Sequence, residues 1–357
     1  MFAARAPSRL TRLCSLQCRR RLATAASDKV RIIEVGPRDG LQNEKKSIPL
    51  ATKVELTERL AHTGVPVIEA ASFVAPKWVP QMASSAEVME HVLRQPPPSP
   101  VPVLYQFLCP NQKGMDNFFK VLDSAPLTPP PSPSSTSSKQ DKPEVELSIF
   151  TAATESFTRK NTNCSMAESL ERFKPIFSTA KARNIGVRAY ISVALGCPYE
   201  GPNVDPHAVA NLAVTLLEMG ANEISVADTT GMGTVPRTKK LLETLSQAGV
   251  RAEDIALHFH DTYAQALPNT IVGLEHGVRS YDTAVGGLGG CPYSPGATGN
   301  VATEDMVHML HSLGLDTGVD MQRMAEIGEW INAELGKANE SRAGKAFLAQ
   351  RKAAGKA

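Results

Sequence analysis

The chain has 357 residues, 42% hydrophobic and 21% charged, a balance that buries the core of one large domain or two smaller ones. No apolar run approaches the roughly 20 residues needed to cross a bilayer, which speaks against a membrane span. The formal charge of +2 hides an asymmetry: residues 1–27 contain six Arg, no Lys and no acidic residue, and the remainder carries 32 basic against 36 acidic residues. A slightly acidic body argues against nucleic-acid binding as its main task.

In chain order, residues 1–27 are rich in Arg, Ala and Ser and run into Arg19-Arg20-Arg21-Leu22-Ala23 before the first acid, Asp28. They read as a mitochondrial targeting peptide, and the expected location is the matrix. The alternative is a basic arm with no address. The chain ends Gly-Lys-Ala rather than with the Ser-Lys-Leu peroxisomal signal. Cys14 and Cys18 would leave with the presequence, and Cys109, Cys164, Cys197 and Cys291 lack Cys-x-x-Cys spacing. Neither a disulfide framework nor a zinc knuckle is indicated, and three of these four read as buried small hydrophobes.

From Val30 onward, short β-branched runs alternate with longer amphipathic ones. The strands expected are Arg31–Val35, Val67–Phe73, Val101–Leu108, Val145–Phe150, Val187–Val193, Glu223–Ala227, Ile255–His260 and Ser280–Val285. Thr52 with Glu55 and Ser165 with Glu168 read as capping boxes that start helices, and Asp205-Pro206 as an N-cap followed by proline. Ala208–Met219 and Val235–Ala248 have helical length and spacing. Thr303-Glu304-Asp305 opens one more helix, with acids in its first turn to suit the dipole.

Eight strand-helix units predict an α/β fold, the (β/α)8 TIM barrel, over residues 28–335, with chemistry at the C-terminal ends of the strands. Residues 336–357 read as a C-terminal tail. A doubly wound open sheet competes, but no Gly-x-Gly-x-x-Gly turn follows the first strand. The Pro/Ser-rich stretch 123–143 cannot bury a core and is expected to be a disordered insertion between helix three and strand four, opposite the active site. Gln95–Pro102 is a smaller Pro-rich turn on that same face.

The groups able to do chemistry follow strand-like runs. His258 and His260, two apart on one strand, share a face and can grip one metal ion; the plainer reading is a pair of satisfied core histidines. Asp39 and Asn300 add a carboxylate and an amide oxygen, a set that suits Mg or Mn with positions left for substrate oxygens. Zinc stays open, since imidazole attracts it and Cys291 is a further donor. The loop from Gly286 to Gly299 has six glycines in fourteen residues, which predicts mobility and places the Cys291 thiol to move a proton on closure. Its alternative is a phosphate-cradling turn with Cys291 as filler.

Arg38 beside Asp39 suggests a division of labour, metal for the carboxylate and a developing enolate oxygen for the guanidinium. A surface salt bridge is the commoner fate of such a pair. Glu69, inside the apolar Val67–Ala71, needs a partner if ionised, and Arg38 is the expected one. Asp228, in Asp228-Thr229-Thr230-Gly231, is a base, an orienting group or simply a turn cap.

Val35-Gly36-Pro37-Arg38-Asp39-Gly40-Leu41-Gln42-Asn43-Glu44, Ser72 to Met82, Ala194-Leu195-Gly196-Cys197-Pro198-Tyr199-Glu200-Gly201, the His258 to Tyr263 run and Gly287-Leu288-Gly289-Gly290-Cys291-Pro292-Tyr293 together resemble the 3-hydroxy-3-methylglutaryl-coenzyme A lyase family. The similarity spans roughly residues 28 to 335. It implies a metal-dependent carbon-carbon lyase, with Asp39, His258, His260 and Asn300 as ligands, Arg38 on the substrate and Cys291 as the loop cysteine. It further implies that Glu69, Asp228, Tyr190, Ser225 and Thr229 lie at or just behind the site, the last three on the substrate side.

The reaction implied is retro-Claisen cleavage of an acyl-CoA substrate, with Mg or Mn but no organic cofactor, in a homodimer. Asp39 or His258 is the base. The Pro/Ser insertion, Leu108-Cys109 before Pro110-Asn111, and Ala264 in place of a glycine depart from the family pattern, and they leave the acyl preference open. The rivals are an isopropylmalate- or homocitrate-synthase-like condensing enzyme, which would read Arg-Asp-Gly-Glu-Gln after strand one, and a silent paralogue acting as a binding module.

Overall fold

The computed structural model describes residues 28–125, 143–290 and 298–355. Eight parallel strands close into a barrel in sequence order: β1 Arg31–Glu34, β2 Val67–Ser72, β3 Leu104–Leu108, β4 Glu144–Ala152, β5 Gly186–Ser192, β6 Glu223–Asp228, β7 Ile255–Phe259 and β8 Ser280–Thr283. Pairing of Arg31 to Glu34 with Ser280 to Thr283 shuts the ring. All eight expected strands are present. β3 starts at Leu104 rather than Val101 because Pro102 has no amide to give a ladder.

The helices are α1 Leu50–Ala61, α2 Ser85–Arg94, α3 Gln112–Ser124, α4 Glu155–Thr162, α5 Met166–Ala182, α6 Pro206–Met219, α7 Val235–Gln247, α8 Ala266–Glu275, α9 Thr303–Ser312, α10 Met321–Leu335 and α11 Arg342–Ala353. Ser165 and Glu168 form the expected reciprocal cap of α5, and Asp205 caps α6 by accepting from the His207 amide. The box expected at Thr52 and Glu55 does not form. α1 begins earlier, after Pro49, its Lys53 turns inward to the Ser84 hydroxyl at 3.0 Å, and Glu55 pairs with Arg59 instead. Phe73, Phe107 and Phe118 meet with ring centroids 5.9–6.2 Å apart and pin α3 to β2 and β3.

The C-terminal segment is more than a tail. α11 packs on α9 and α10, and Asp305 accepts from the Ala343 amide at 2.6 Å and the Ser341 hydroxyl at 2.8 Å at its start. No helix among the described residues is long and apolar enough to cross a membrane.

Helices cover the outer face of the sheet, so β2, β6 and β7 are buried along their whole length. The inner face departs from the branched aliphatics usual in such barrels. Glu69 of β2 reaches Ser148 of β4 and Tyr190 of β5, and Arg188 of β5 reaches Glu223 of β6 and Asp282 of β8. Ile68, Phe107, Leu147, Val187, Ile224 and Leu257 alternate with these inward groups and join the apolar core.

Asp123 and Ser124 complete α3, and most of the Pro/Ser-rich stretch lies outside the described residues. Its flanks, the end of α3 and the start of β4, sit at the N-terminal ends of the strands. Deleting Leu127 to Gln140 is therefore expected to leave kcat and KM nearly unchanged. A steady-state comparison checks this, and a large drop would show that the segment reaches the site.

Candidate active site

The site begins where β1 ends. Gly36–Gly40 form a π-type turn in which the amides of Arg38, Asp39 and Gly40 all point at the Val35 carbonyl, a local irregularity typical of functional positions. The turn aims Arg38 and Asp39 into the mouth of the barrel. Gly40 is a close-approach position, since a Cβ there would lie 2.7 Å from that of Leu288.

Across the mouth, inward-facing His258 and His260 stand with ring centroids 5.3 Å apart. One ligand atom from each of Asp39, His258 and His260 lies within 4.8 Å of the others. Asn300 joins them: it bridges to His260 through backbone and donates its amide to Asp39 Oδ2 at 2.8 Å and to the Leu288 carbonyl at 3.2 Å. This leaves its amide oxygen for another partner. His260 Nδ1 is buried with no hydrogen-bond partner among the described residues, the state of a donor atom reserved for something else. Burial and repulsion from His258 lower its pKa to about 3, so the ring is neutral and can ligate. Two neutral-capable imidazoles, one carboxylate and one amide oxygen fit a divalent cation.

Arg38 is the hinge of the electrostatics. Its Nε donates to Glu69 Oε2 at 2.7 Å and its NH1 to Asp39 Oδ1 at 2.5 Å. Burial opposes the guanidinium charge, but Glu69 and Asp39 outweigh it and hold the pKa above its ordinary value. Conversely, burial raises the pKa of Asp39, yet Arg38 and the two histidines win and keep the carboxyl below the usual range. The expected Arg38–Glu69 pair is thus present. Glu69, 0% exposed, is further satisfied by Ser148 at 2.6 Å and Tyr190 at 2.9 Å.

The remaining expected residues divide. The Tyr190 ring lies beneath two guanidiniums, 5.3 Å from Arg38 and 4.7 Å from Arg188. Ser225 donates to Asp282 at 2.9 Å, and Thr229 accepts from the Val193 amide at 2.9 Å, so both hydroxyls are engaged with protein. Asp228 falls on the outward parity of β6, one past Ala227, which is in register with His258. Its Oδ2 accepts from the Gly233 amide at 2.9 Å, which makes it the cap of the following turn. Burial pushes its carboxyl up to about 7. Cys109, Cys164 and Cys197 are free and buried, while Cys291 lies outside the described residues.

The glycine loop departs from expectation in its first half. Mobility was expected from Gly286 onward, yet Gly286 to Gly289 are buried. Gly286 donates to Glu304 at 2.9 Å, its carbonyl accepts from Asn332 and from the Glu340 amide, and Gly289, at φ +97°, lets Asn300 approach where a Cβ would be 2.8 Å away. The glycines serve close packing there. Residues 291–297 lie outside the described part. Ala264 adopts φ +56°, a left-handed conformation that glycine tolerates better.

Glu304 lies in the first turn of α9 as expected, and it is 0% exposed. Burial, with repulsion from Glu34 and Asp305 and only partial relief from backbone amides, pushes it up to about 8. Its raised folded pKa means that the folded state keeps a proton the unfolded chain gives up near 4.5. The associated stability is complete below that value and is lost as pH rises through 8. Glu304→Gln is therefore expected to gain on the parent by about 2–3 kcal/mol between roughly pH 6 and pH 9 in urea unfolding. Parallel pH profiles would sink this account.

Three residues that matter were not singled out in the sequence: Arg188, Asp282 and Glu34. The signal was a charge inside a strand, the same that marked Glu69. Arg188 holds Asp282 Oδ1 at 2.6 Å, and Asp282 Oδ2 accepts from His258 Nδ1 at 3.2 Å. Burial opposes the Asp282 charge, but Arg188 overcomes it and brings the pKa to about 2.

A closed barrel with Asp39, His258 and His260 able to hold a metal ion, and a buried arginine beside them at the C-terminal ends of its strands, defines a (β/α)8 enzyme. Residues 29–331 match the HMGL-like family, and the chain belongs to it. A Pseudomonas aeruginosa protein named 3-hydroxy-3-isohexenylglutaryl-CoA/hydroxy-methylglutaryl-CoA lyase is 47% identical over 322 residues, 90% of this chain and 98% of its own. Mitochondrial hydroxymethylglutaryl-CoA lyase of Rattus norvegicus is 45% identical over 342 residues, 95% and 96% of the two chains. The crystal structure of hydroxymethylglutaryl-CoA lyase from Pseudomonas aeruginosa matches with a TM-score of 0.80 at 45% identity, covering 91% of this chain and 99% of that one. The chain is a carbon-carbon lyase.

Proposed function

We propose that the chain cleaves (S)-3-hydroxy-3-methylglutaryl-CoA to acetyl-CoA and acetoacetate, the reaction of leucine breakdown and ketone-body formation. The observation that carries this is the convergence of Asp39, His258 and His260 within 4.8 Å, with Arg38 bonded to the same carboxylate. Asp39, His258, His260 and Asn300 would hold Mg or Mn, which when bound acts as Lewis acid and template for the hydroxyl and carboxylate oxygens of the substrate.

The residues then share the work. Of the two candidate bases, Asp39 takes the proton of the tertiary hydroxyl, since His258 Nδ1 is turned to Asp282. The bond between the second and third carbons breaks, the third carbon becomes the ketone of acetoacetate, and the electron pair passes to the thioester enolate. Arg38 steadies that oxygen from a position already fixed by Glu69 and Tyr190, so little reorganisation is needed. Cys291 returns a proton to the second carbon. Cys291→Ala is accordingly expected to lose most turnover, roughly 10²–10⁴-fold, with Mn2+ affinity nearly intact by equilibrium titration. An active alanine variant removes the thiol from the scheme.

Product analysis tests the reading: purified protein with the thioester and added Mg or Mn should release acetoacetate. No release, or release indifferent to chelator, refutes it. A larger acyl group is a second reading, because the relative at 47% identity is also named for an isohexenyl substrate. Comparing kcat/KM for both thioesters separates the two.

Matrix targeting by residues 1–27 is supported by their six Arg and absence of acids and by the mitochondrial name of the rat relative. Fusing that segment to a fluorescent protein tests it. Residues 28–335 form the proposed catalytic unit, working as a homodimer.

A further inference from the structure

We infer that Asp282 is a positioning residue for the cation site, holding the Nδ1–H of His258 so that Nε2 of that ring is committed to the metal. The inference rests on the ligand reading given above and adds to it a group that lies outside that ligand set.

Four successive strands supply the arrangement. Asp282 of β8 accepts from His258 of β7 at 3.2 Å and from Ser225 of β6 at 2.9 Å on one oxygen, and from Arg188 of β5 at 2.6 Å on the other. The Asp282 and Arg188 side chains are fully buried. Arg188 is itself shared with Glu223 at 2.7 Å. A carboxylate can only accept, so the imidazole must present a proton at Nδ1, and the tautomer follows. With Nδ1 occupied, the lone pair left to the ring is at Nε2.

His260 makes the contrast. Its Nδ1 has no hydrogen-bond partner among the described residues, so no carboxylate fixes the tautomer of that ring. The two imidazoles of one motif are therefore not equivalent. His258 is oriented by a buried carboxylate, whereas His260 has only a backbone bridge to Asn300. Partners behind a ligating histidine govern how tightly it binds metal.

The test is Mn2+ titration of the full-length protein, reading free ion by electron paramagnetic resonance. Asp282→Asn is expected to weaken Mn2+ binding by about 10–100-fold, and Ser225→Ala, which spares the charge, by less. A purely structural Asp282 would lower the melting temperature and leave the Mn2+ affinity of the folded protein within about threefold of the parent, which overturns the inference. Should Asp282→Asn fail to fold, nitrogen-15 histidine spectra of the Mg-loaded parent decide. They are expected to show His258 protonated at Nδ1 alone, and a proton at Nε2 overturns the proposal. A parent protein that binds no Mn2+ at all would instead strike down the ligand reading itself.

Discussion

Arg38→Met is expected to lower kcat by at least about 10²–10³-fold, the usual cost of removing one group aimed at developing charge. The loss should exceed the change in KM, because the guanidinium does most once the enolate has formed. The same substitution leaves Glu69, 0% exposed, with two hydroxyl donors and no counter-charge. Breaking a buried pair in this way costs roughly 3–5 kcal/mol, so poor stability alone would confuse the result. Arg38→Met with Glu69→Gln resolves it. The double variant should regain most of the stability in urea unfolding and almost none of the turnover, and recovery of both would show that Arg38 is a structural ion-pair partner only.

The second large effect is expected at Asp39. Asp39→Asn removes the one carboxylate of the ligand group, and Mn2+ affinity should fall by more than the roughly 10–100-fold that loss of an outer partner costs. Its oxygens also receive Arg38, Gln42 and Asn300. Neutralising it loosens the orientation of Asn300 together with the charge balance of Arg38. Direct titration with Mn2+ checks the first consequence. Turnover that stays low even when Mn2+ is raised to saturation checks the second, whereas full rescue by metal would confine Asp39 to holding the ion.

Much of this site is readable in residue order because its parts are short and local. His-x-His on a strand puts two rings on one side by geometry alone, and a lone Glu69 in Val67-Ile68-Glu69-Ala70-Ala71 announces a buried charge that needs a partner. Asp282 and Arg188 carry the same signal but were harder to weigh. In a strand covered on both faces the alternation of polar and apolar residues is weak, and their partners lie 94 positions apart. The burial of Glu304 was not legible for a related reason: its place in the first turn of α9 says nothing of the packing of α10 and the glycine loop over it. The cap expected at Thr52 failed where Pro49 offered an earlier start and Lys53 found acceptors inside.

The ring closes only when Arg31 to Glu34 meet Ser280 to Thr283, and this orders events in time. Asp39 leaves the ribosome long before His258, His260 and Asn300, so a nascent chain does not yet hold all four of these residues. Contacts so distant in sequence form late and slowly. The proposed ligand group is thereby complete only once the last strand is seated.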